Sequence, residues 1–151
     1  MASRYEGAER EKRALDTFIK LVRAGNSVSA GSARRLSEYD LTASQFAVLE
    51  ALYYVGPMCL SELAGKILRT AGNLTMVVDN LEKRGLAKRV AGAKDRRFVT
   101  AEITPRGREL IRRVFPEHAA RIADAMDRLT PQEQEQLASL CRKLGGVAPS
   151  D

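Results

Sequence analysis

The sequence has few of the residues that several other classes of protein depend on. It contains two cysteines, Cys59 and Cys141, and one histidine, His118, in 151 residues. Two cysteines form no disulfide framework, and a lone histidine builds neither a metal site nor a catalytic triad. No apolar run approaches the ~18 residues that a membrane span needs. A disulfide-stabilised protein, a metalloprotein and a membrane protein are therefore not indicated.

The sequence motifs of common enzymes are also missing. There is no phosphate loop of the GxxxxGK[ST] type, no nucleophile elbow and no pairing of cysteine with histidine ligands. The first residues, MASRYEGAEREKRALD, are charged and lack the apolar core of a signal peptide. Since sparse cysteines fit a reducing compartment, we expect a cytoplasmic protein that is not an enzyme and uses no metal or cofactor.

Positive charge is concentrated in one part of the chain. The formal net charge is +6 and the pI about 9.6. Residues 81–113 contain eleven lysines and arginines against four aspartates and glutamates, an excess that exceeds the net charge of the whole chain. A local excess of this kind is what a nucleic-acid-binding surface requires. The charge pattern therefore favours double-stranded DNA as a partner.

Apolar spacing predicts helices over the first half of the chain. Apolar residues recur at helical spacing over residues 14–22, so a first helix is expected over roughly the first thirty residues. Its end is expected between residues 25 and 32, and a short second helix over residues 33–39. Residues 42–45 (TASQ) form a capping box that opens a third helix, which Gly56-Pro57 ends.

Two helices and a hairpin are predicted next. Ser61 is expected to cap a fourth helix, and a fifth begins near Thr70 and ends at Gly85. The core-facing residues of the fifth helix fall at positions i, i+3, i+4 and i+7: Leu74, Val77, Val78 and Leu81. The β-rich runs 86–91 and 98–103, joined by a glycine-containing turn, predict a two-stranded hairpin.

The last part of the chain again predicts helices. Thr104-Pro105 starts a long helix with proline at its first position, and Pro116 inside that helix is expected to kink or break it. Residues 130–133 (TPQE) form another capping box, and Gly145-Gly146 ends the final helix.

Helices followed by a two-stranded ribbon give the element order of a winged helix-turn-helix. The helix-turn-helix consists of residues 60–68, a turn at 69–72 and the fifth helix, which would enter the major groove. On its outer face, Asn73 and Asn80 have amides suited to adenine, and Thr75 and Met76 can touch thymine methyl groups. The complete set of candidate DNA-contacting residues is Ser61, Thr70, Gly72, Asn73, Thr75, Met76, Asn80, Lys83, Arg84, Lys94, Asp95, Arg96 and Arg97.

Each of these signals has a plainer interpretation. Residues 95–97 could form a solvated hairpin tip, and the polar side of the fifth helix could simply face water. Asp79 would repel phosphate, so it is expected to orient Lys83 at i+4 instead. The arginines of the long helix are interpreted as solvated charges, of which one or two touch the DNA backbone: Arg106, Arg108, Arg112 and Arg113.

The whole chain resembles the MarR family of transcriptional regulators. Four motifs carry the resemblance in order and spacing: LSELA at 60–64, NLEKRGL at 80–86, DRR at 95–97 and ITPRG at 103–107. Within the family, the stretches QFAVLEALYYVGPMC, GNLTMVVDNLEKRGL and DRRFVT are most similar to the branch that controls resistance to methylhydroquinone, quinones and phenols.

The resemblance implies a mainly α, homodimeric repressor with a single MarR-like domain over residues 1–151. Helices over about 5–30 and 105–147 would form the dimer base, and residues 42–104 the winged helix-turn-helix. Half-sites of a near-palindromic operator would lie about 34–36 Å apart. Asp95 would orient Arg97 towards the minor groove, Arg96 would face phosphate, and Pro116 would provide a flexing point.

The resemblance also implies that a small aromatic compound or an oxidant releases the DNA. Phe18, Tyr39 and Phe46 are candidates for lining an effector pocket, although each is also a reasonable core residue. The peroxide-sensing members use a cysteine in the first helix, and this chain has none there. Cys59 and Cys141 are interpreted as small core residues, with Cys59 kept as a candidate for reaction with quinones.

A basic architectural protein is the alternative class of function. A basic architectural protein would bind duplex DNA without sequence preference, but its charge would be spread widely. Here the first eighty residues are nearly balanced in charge. A sequence-specific regulator is therefore the preferred interpretation.

Overall fold

In a computed structural model, which describes residues 5–67, 74–91 and 99–146, the chain is mainly helical with one small sheet. The predicted fold class is confirmed. In chain order the elements are α1 (Glu9–Ser37), α2 (Ala43–Tyr54), β1 (Met58–Cys59), α3 (Leu60–Ile67), α4 (Leu74–Lys83), β2 (Ala87–Ala91), β3 (Val99–Ile103), α5 (Pro105–Met126) and α6 (Pro131–Gly145).

The chain divides into two compact units. The first contains the described residues up to 32 and those from 120 onwards, and the second contains residues 33–119. Helices α1 and α5 each contribute one end to each unit. The second unit holds the buried apolar core, which includes the fully buried Val48, Leu49 and Leu52 of α2. It is therefore the unit that places the candidate DNA-contacting residues.

Helix α1 is longer than the sequence predicts. It runs without interruption from Glu9 to Ser37, so the expected end between residues 25 and 32 and the separate helix over 33–39 are wrong. An internal glycine costs a helix only about 1 kcal/mol, which a long established helix tolerates. The helix ends instead at Ser37, and a turn follows in which Asp40 has a left-handed φ of 54° and the Leu41 amide donates to the Leu36 carbonyl at 3.0 Å.

Helix α2 begins and ends where the sequence predicts. The Gln45 amide donates to the Thr42 hydroxyl at 3.1 Å, and the Thr42 amide donates to the Gln45 side-chain carbonyl at 3.0 Å. This reciprocal pair is the predicted capping box. At the other end Gly56 has a φ of +103°, which terminates the helix.

The sheet has a third strand that the sequence did not reveal. β1 pairs antiparallel with β3 through Met58 opposite Ala101 and Cys59 opposite Thr100, and the strand order is β1-β3-β2. Two residues are too few to show an alternating pattern. Helix α3 then begins at Leu60, so the expected cap at Ser61 is wrong, because Ser61 lies within the first turn. The Glu62 carboxylate accepts from the Cys59 amide at 2.8 Å, which is one half of a capping box.

The predicted hairpin is present up to its tip. β2 and β3 pair antiparallel from Ala87 opposite Ile103 to Ala91 opposite Val99, which agrees with the predicted strand runs. The predicted turn and tip, residues 92–98, lie outside the described residues, as do residues 68–73 with the expected start of the fifth helix near Thr70.

Helix α5 continues through its internal proline. The Thr104 hydroxyl accepts from the Gly107 amide at 3.1 Å, and Pro105 is the first helical residue. The expected break at Pro116 is wrong, because the helix extends to Met126. Pro116 is exposed, so the Arg112 carbonyl that loses its helical donor faces the side of the helix where water can replace it.

Helix α6 begins at the second predicted capping box. The Glu133 amide donates to the Thr130 hydroxyl, and the Thr130 amide donates to the Glu133 carboxylate at 2.8 Å. The helix ends at Gly146, whose φ is 67°.

Gly107 marks a close approach between α5 and the residue before β2. A Cβ atom at Gly107 would lie 2.1 Å from the Leu86 carbonyl oxygen, which itself accepts from the Thr104 amide at 3.1 Å. Substitution Gly107→Ala should therefore destabilise the chain by about 1–3 kcal/mol, measured by urea denaturation. Gly65→Ala in α3 is the matched control: nothing lies within 4 Å of its added Cβ, so about 0.5–1 kcal/mol of stabilisation is expected. Equal effects would contradict the close approach.

Candidate nucleic-acid interface

Helix α4 is anchored by one apolar face. Leu74, Val78 and Leu81 are buried in the core of the second unit, and Val77 is half-buried beside it. These are the four residues that apolar spacing assigned to the inner face. With them held against the core, the opposite side of α4 is turned outwards.

The outward side of α4 offers polar and methyl-bearing groups. Thr75, Met76 and Lys83 are exposed, with 56% of Met76 accessible, and Asn80 is half-buried. Ser61 is also exposed, in the first turn of α3. A major groove admits a helix and is recognised by side chains of these types. Three further candidates lie outside the described residues: Thr70, Gly72 and Asn73.

Arg84 does not point towards this surface. Its guanidinium donates to the Asp40 carbonyl at 2.5 Å and to the Tyr39 carbonyl at 3.3 Å, at the end of α1. The sequence offered Arg84 as a DNA contact because it follows Lys83 at the exit of the helix. The structure places it instead on two carbonyls of the turn that follows α1, so its role there is structural.

Asp79 also has a different partner from the expected one. It does not orient Lys83. Its carboxylate lies 2.6 Å from the Arg89 Nη1 atom, and the same guanidinium pairs with Glu82. Burial alone would lower the pKa of Arg89, but its hydrogen bonds and ion pairs with Asp79 and Glu82 outweigh this and raise it. The positive charge of Arg89 therefore faces two carboxylates of the protein itself.

The strands of the hairpin carry one further ion pair. Lys88 on β2 lies 3.3 Å from the Glu102 carboxylate on β3, across the strands. Lys94, Asp95, Arg96 and Arg97, which the sequence places at the hairpin tip, lie outside the described residues, so their DNA contacts stay predictions.

Three arginines of α5 contact aromatic rings. Arg108 lies over the ring of Tyr53 at 5.8 Å, Arg113 lies over the ring of Tyr39 at 5.4 Å, and Arg112 Nε is 3.4 Å from the Tyr53 hydroxyl. All three remain exposed, as the sequence interpretation requires. These contacts are cation–π interactions and a hydrogen bond, and they hold α5 against α2 and against the turn that follows α1.

The candidate effector residues fall in different surroundings. Phe18 lies on α1 in the first unit and is 60% exposed. Phe46 is buried in the second unit, with its ring 4.4 Å from that of His118 and 6.4 Å from that of Phe115. Burial lowers the pKa of His118, an effect that the charge of Glu50 partly offsets. Phe46 therefore belongs to an aromatic cluster inside the second unit.

Tyr39 borders an open cavity of about 400 Å³ in the second unit. The cavity lies between the end of α1 and the first turns of α5, and Arg84, Arg106 and Arg113 contribute to its wall. Burial and a hydrogen bond with Glu117 raise the pKa of the Tyr39 hydroxyl, so the hydroxyl keeps its proton. This cavity can offer a small molecule both a polar wall and an aromatic ring.

The first unit exposes an apolar groove. Helices α1 and α6, with Met126 of α5, line a cavity of about 610 Å³. Leu140 and Leu144 of α6 are 64% and 71% exposed. Cys141 lines the same groove and is exposed, so its assignment as a core residue is wrong for the single chain. Cys59 is half-buried, with its sulfur 3.0 Å from the Ser61 hydroxyl.

The sequence is similar to those of known proteins. The MarR family model matches residues 41–99. The uncharacterised HTH-type transcriptional regulator YkoM of Bacillus subtilis is 40% identical, over 91% of this chain and 89% of its own. The HTH-type transcriptional regulator MhqR of the same organism is 36% identical, over 89% and 92%.

Solved structures of DNA-binding regulators are also similar to this chain in fold. Sco3205, a MarR family regulator from Streptomyces coelicolor solved in complex with DNA, has a TM-score of 0.82 at 25% identity and covers 98% of this chain and 94% of its own. BpsR of Bordetella bronchiseptica, whose DNA binding is regulated by 6-hydroxynicotinic acid, has a TM-score of 0.81 at 26% identity and covers 97% and 100%.

The helix-turn-helix with its attached hairpin is thus a winged helix-turn-helix, the fold of a class of DNA-binding regulators. The chain belongs to the MarR family of transcriptional regulators. Among the described residues, no helix combines the length and the apolar character needed to cross a membrane.

The neighbours Lys83 and Arg84 give a direct test of the orientation of α4. Arg84→Ala should lower the free energy of unfolding by about 1 kcal/mol, since two carbonyls lose their donor, and leave the salt dependence of DNA binding unchanged. Lys83→Ala should leave stability unchanged and reduce the slope of log affinity against log salt by about one. Urea denaturation and binding titrations at several salt concentrations measure both quantities. A reduced slope for Arg84→Ala would place that residue in the interface.

Proposed function

We propose that this chain is a homodimeric, sequence-specific transcriptional regulator that acts in the cytoplasm. It binds a near-palindromic operator as a repressor and is released by a small phenolic or quinone-like ligand or by an oxidant. The observation that carries the proposal is the outward side of α4, where Thr75, Met76, Asn80 and Lys83 are presented by a helix whose other side is buried.

Sequence recognition follows from the chemistry of that side. An Asn80 amide can donate to and accept from an adenine edge, and the methyl groups of Thr75 and Met76 can contact thymine. Lys83 at the end of the helix is placed for phosphate. With Asn73 before the helix and Arg97 in the hairpin tip, as the sequence predicts, each subunit would contact a major groove and the neighbouring minor groove.

Dimerisation accounts for the apolar groove of the first unit. Contiguous exposed leucines are uncommon on the surface of a monomer, and here Leu137, Leu140 and Leu144 lie on one side of α6. A second copy of the chain would cover them through a two-fold, isologous contact. Two winged helices would then bind half-sites about 34–36 Å apart on the same side of the duplex.

The effector proposal is supported by the cavity beside Tyr39 and by the regulated relative BpsR. A hydroxylated aromatic compound could hydrogen bond to Tyr39 and place an anionic group near Arg106 and Arg113. Phe18 and Phe46 remain candidates for a pocket in the assembled dimer. Cys59 would be the site at which a quinone reacts covalently.

The alternative function is non-specific DNA packaging by a basic protein. Ion pairs argue against it, since Lys88 and Arg89 are already paired with carboxylates on the hairpin and on α4. Fewer positive groups are then left for non-specific phosphate contacts than the sequence suggests.

Binding to an inverted repeat from the chain's own promoter, compared with a random duplex of the same length, tests the proposal. A preference of at least 10³-fold is expected for a specific regulator. Asn80→Ala should cost roughly 1–3 kcal/mol of operator binding and relax the choice of base at one position. Equal affinity of the wild type for both duplexes would favour the packaging alternative.

Release of the operator duplex tests the effector class. Phenols, quinones, salicylate-like acids and peroxides are added to the complex of the wild type and of the variants Tyr39→Phe and Cys59→Ser. A reversible phenolic ligand bound beside Tyr39 should release DNA less readily from Tyr39→Phe, because a hydrogen bond worth about 1 kcal/mol is lost. Release by quinones that persists unchanged in Cys59→Ser would exclude covalent sensing at that thiol.

A further inference from the structure

Arg89 joins the hairpin to the recognition helix at several points. Its guanidinium pairs with Asp79, at 2.6 Å, and with Glu82, and it donates to the Thr75 carbonyl at 3.3 Å. Its backbone amide donates to the second oxygen of Glu82 at 2.7 Å. Thr75, Asp79 and Glu82 fall at i, i+4 and i+7, so one residue of β2 binds a continuous stripe along two turns of α4.

We propose that Arg89 is a positioning residue for DNA sequence recognition: it fixes the rotation of α4 about its own axis relative to β2, so that the outward side chains meet the base edges in register. The inference rests on the proposed function and extends it to a residue that does not itself touch DNA.

Apolar packing alone fixes this rotation only coarsely. Burial of Leu74, Val78 and Leu81 decides which side of α4 faces the core, but the hydrophobic effect is non-directional. Hydrogen bonds to a planar guanidinium are directional, with narrow limits on distance and angle. Charged hydrogen bonds to Asp79 and Glu82 on one stripe of the helix therefore add a finer restraint on its rotation.

Strand β2 can restrain α4 because β2 is itself held in place by the sheet. β2 is paired with β3 over five residue pairs, and β3 pairs in turn with β1. Base contacts require side chains to be held within about 0.5 Å of their working positions, whereas phosphate contacts carry no sequence information and tolerate more displacement. Loss of the Arg89 contacts should hence reduce sequence preference more than total DNA affinity.

Arg89 is a poor candidate for a direct phosphate contact. Its side chain is only 25% exposed, and two carboxylates lie against its guanidinium. The local group of Arg89, Asp79 and Glu82 is formally negative by one charge, which would repel rather than attract the DNA backbone.

The negative charge of the group formed by Arg89, Asp79 and Glu82 provides the test. Asp79→Asn and Glu82→Gln each remove a negative charge from a helix that faces DNA, so electrostatics alone would raise affinity for every duplex. A positioning role for Arg89 instead predicts that the variants bind the operator more weakly. Arg89→Lys keeps the charge but loses the planar fork. For each of the three variants we expect the ratio of operator to random-duplex affinity to fall roughly tenfold, about 1.4 kcal/mol.

The operator probe is the duplex that the wild-type protein selects from a randomised pool, and the competitor is a shuffled duplex of the same composition. Lys88→Gln is the matched control, since Lys88 neighbours Arg89 on β2 and is exposed; it should keep the affinity ratio. All proteins are compared below the onset of thermal unfolding. For Arg89→Lys the salt slope should stay unchanged, because no phosphate contact is lost. Loss of stability alone would weaken the binding of both duplexes by the same factor and leave their affinity ratio unchanged.

Three results would overturn the inference. An unchanged affinity ratio in Arg89→Lys would remove the positioning role, and so would tighter binding of both duplexes by Asp79→Asn. A salt slope lowered by about one in Arg89→Gln, with both duplexes weakened equally, would make Arg89 a phosphate contact.

Failure of the proposed function has a different signature. In that case the wild-type protein selects no consensus from the pool. Amide hydrogen exchange of residues 75–83 then tests the restraint itself: faster exchange in Arg89→Lys than in Lys88→Gln supports it, and equal exchange overturns it.

Discussion

The burial of one side of α4 is the interaction on which the rest of the structure depends. Leu74, Val78 and Leu81 lie in the same core as the α2 residues Val48, Leu49 and Leu52. Because these residues cannot leave the core without exposing apolar surface, at about 25 cal/mol per Å², the opposite side of the helix must face outwards. Core packing thus decides which side of α4 faces outwards, while the contacts of Arg89 with Asp79 and Glu82 restrain the helix more finely.

The sequence predicted much of this arrangement because its signals are local. Capping boxes at Thr42 and Thr130, the terminating Gly56 and the apolar spacing of α4 each involve residues within one or two helical turns. The failures depend on longer-range contacts. Nothing near Arg84 in the sequence reveals the carbonyls of Tyr39 and Asp40, and nothing near Asp79 reveals Arg89 ten residues later on a strand. The strand of Met58 and Cys59 exists only because β3 pairs with it.

Counting charged residues in the sequence also misses contacts between residues that are distant along the chain. The basic residues between 81 and 113 look alike in the sequence, but those that the structure describes differ in their surroundings. Arg84 and Arg89 bind oxygens of the protein, Arg108 and Arg113 lie over tyrosine rings, and Lys83 is exposed beside the recognition face. Net charge suggested the kind of partner, while the geometry of individual side chains distinguishes the groups that can bind it from those that hold the fold together.

The contact between Gly107 and the Leu86 carbonyl has a consequence for how related sequences can differ. The Leu86 oxygen accepts from the Thr104 amide and occupies the space where a side chain at position 107 would lie. The root of the hairpin and the first turn of α5 are therefore joined without room for an inserted or enlarged residue. At this root any insertion would shift β2 and α5 together. Homologous regulators should consequently keep a glycine at the position of Gly107, and any difference in hairpin length should arise between β2 and β3 rather than at the root.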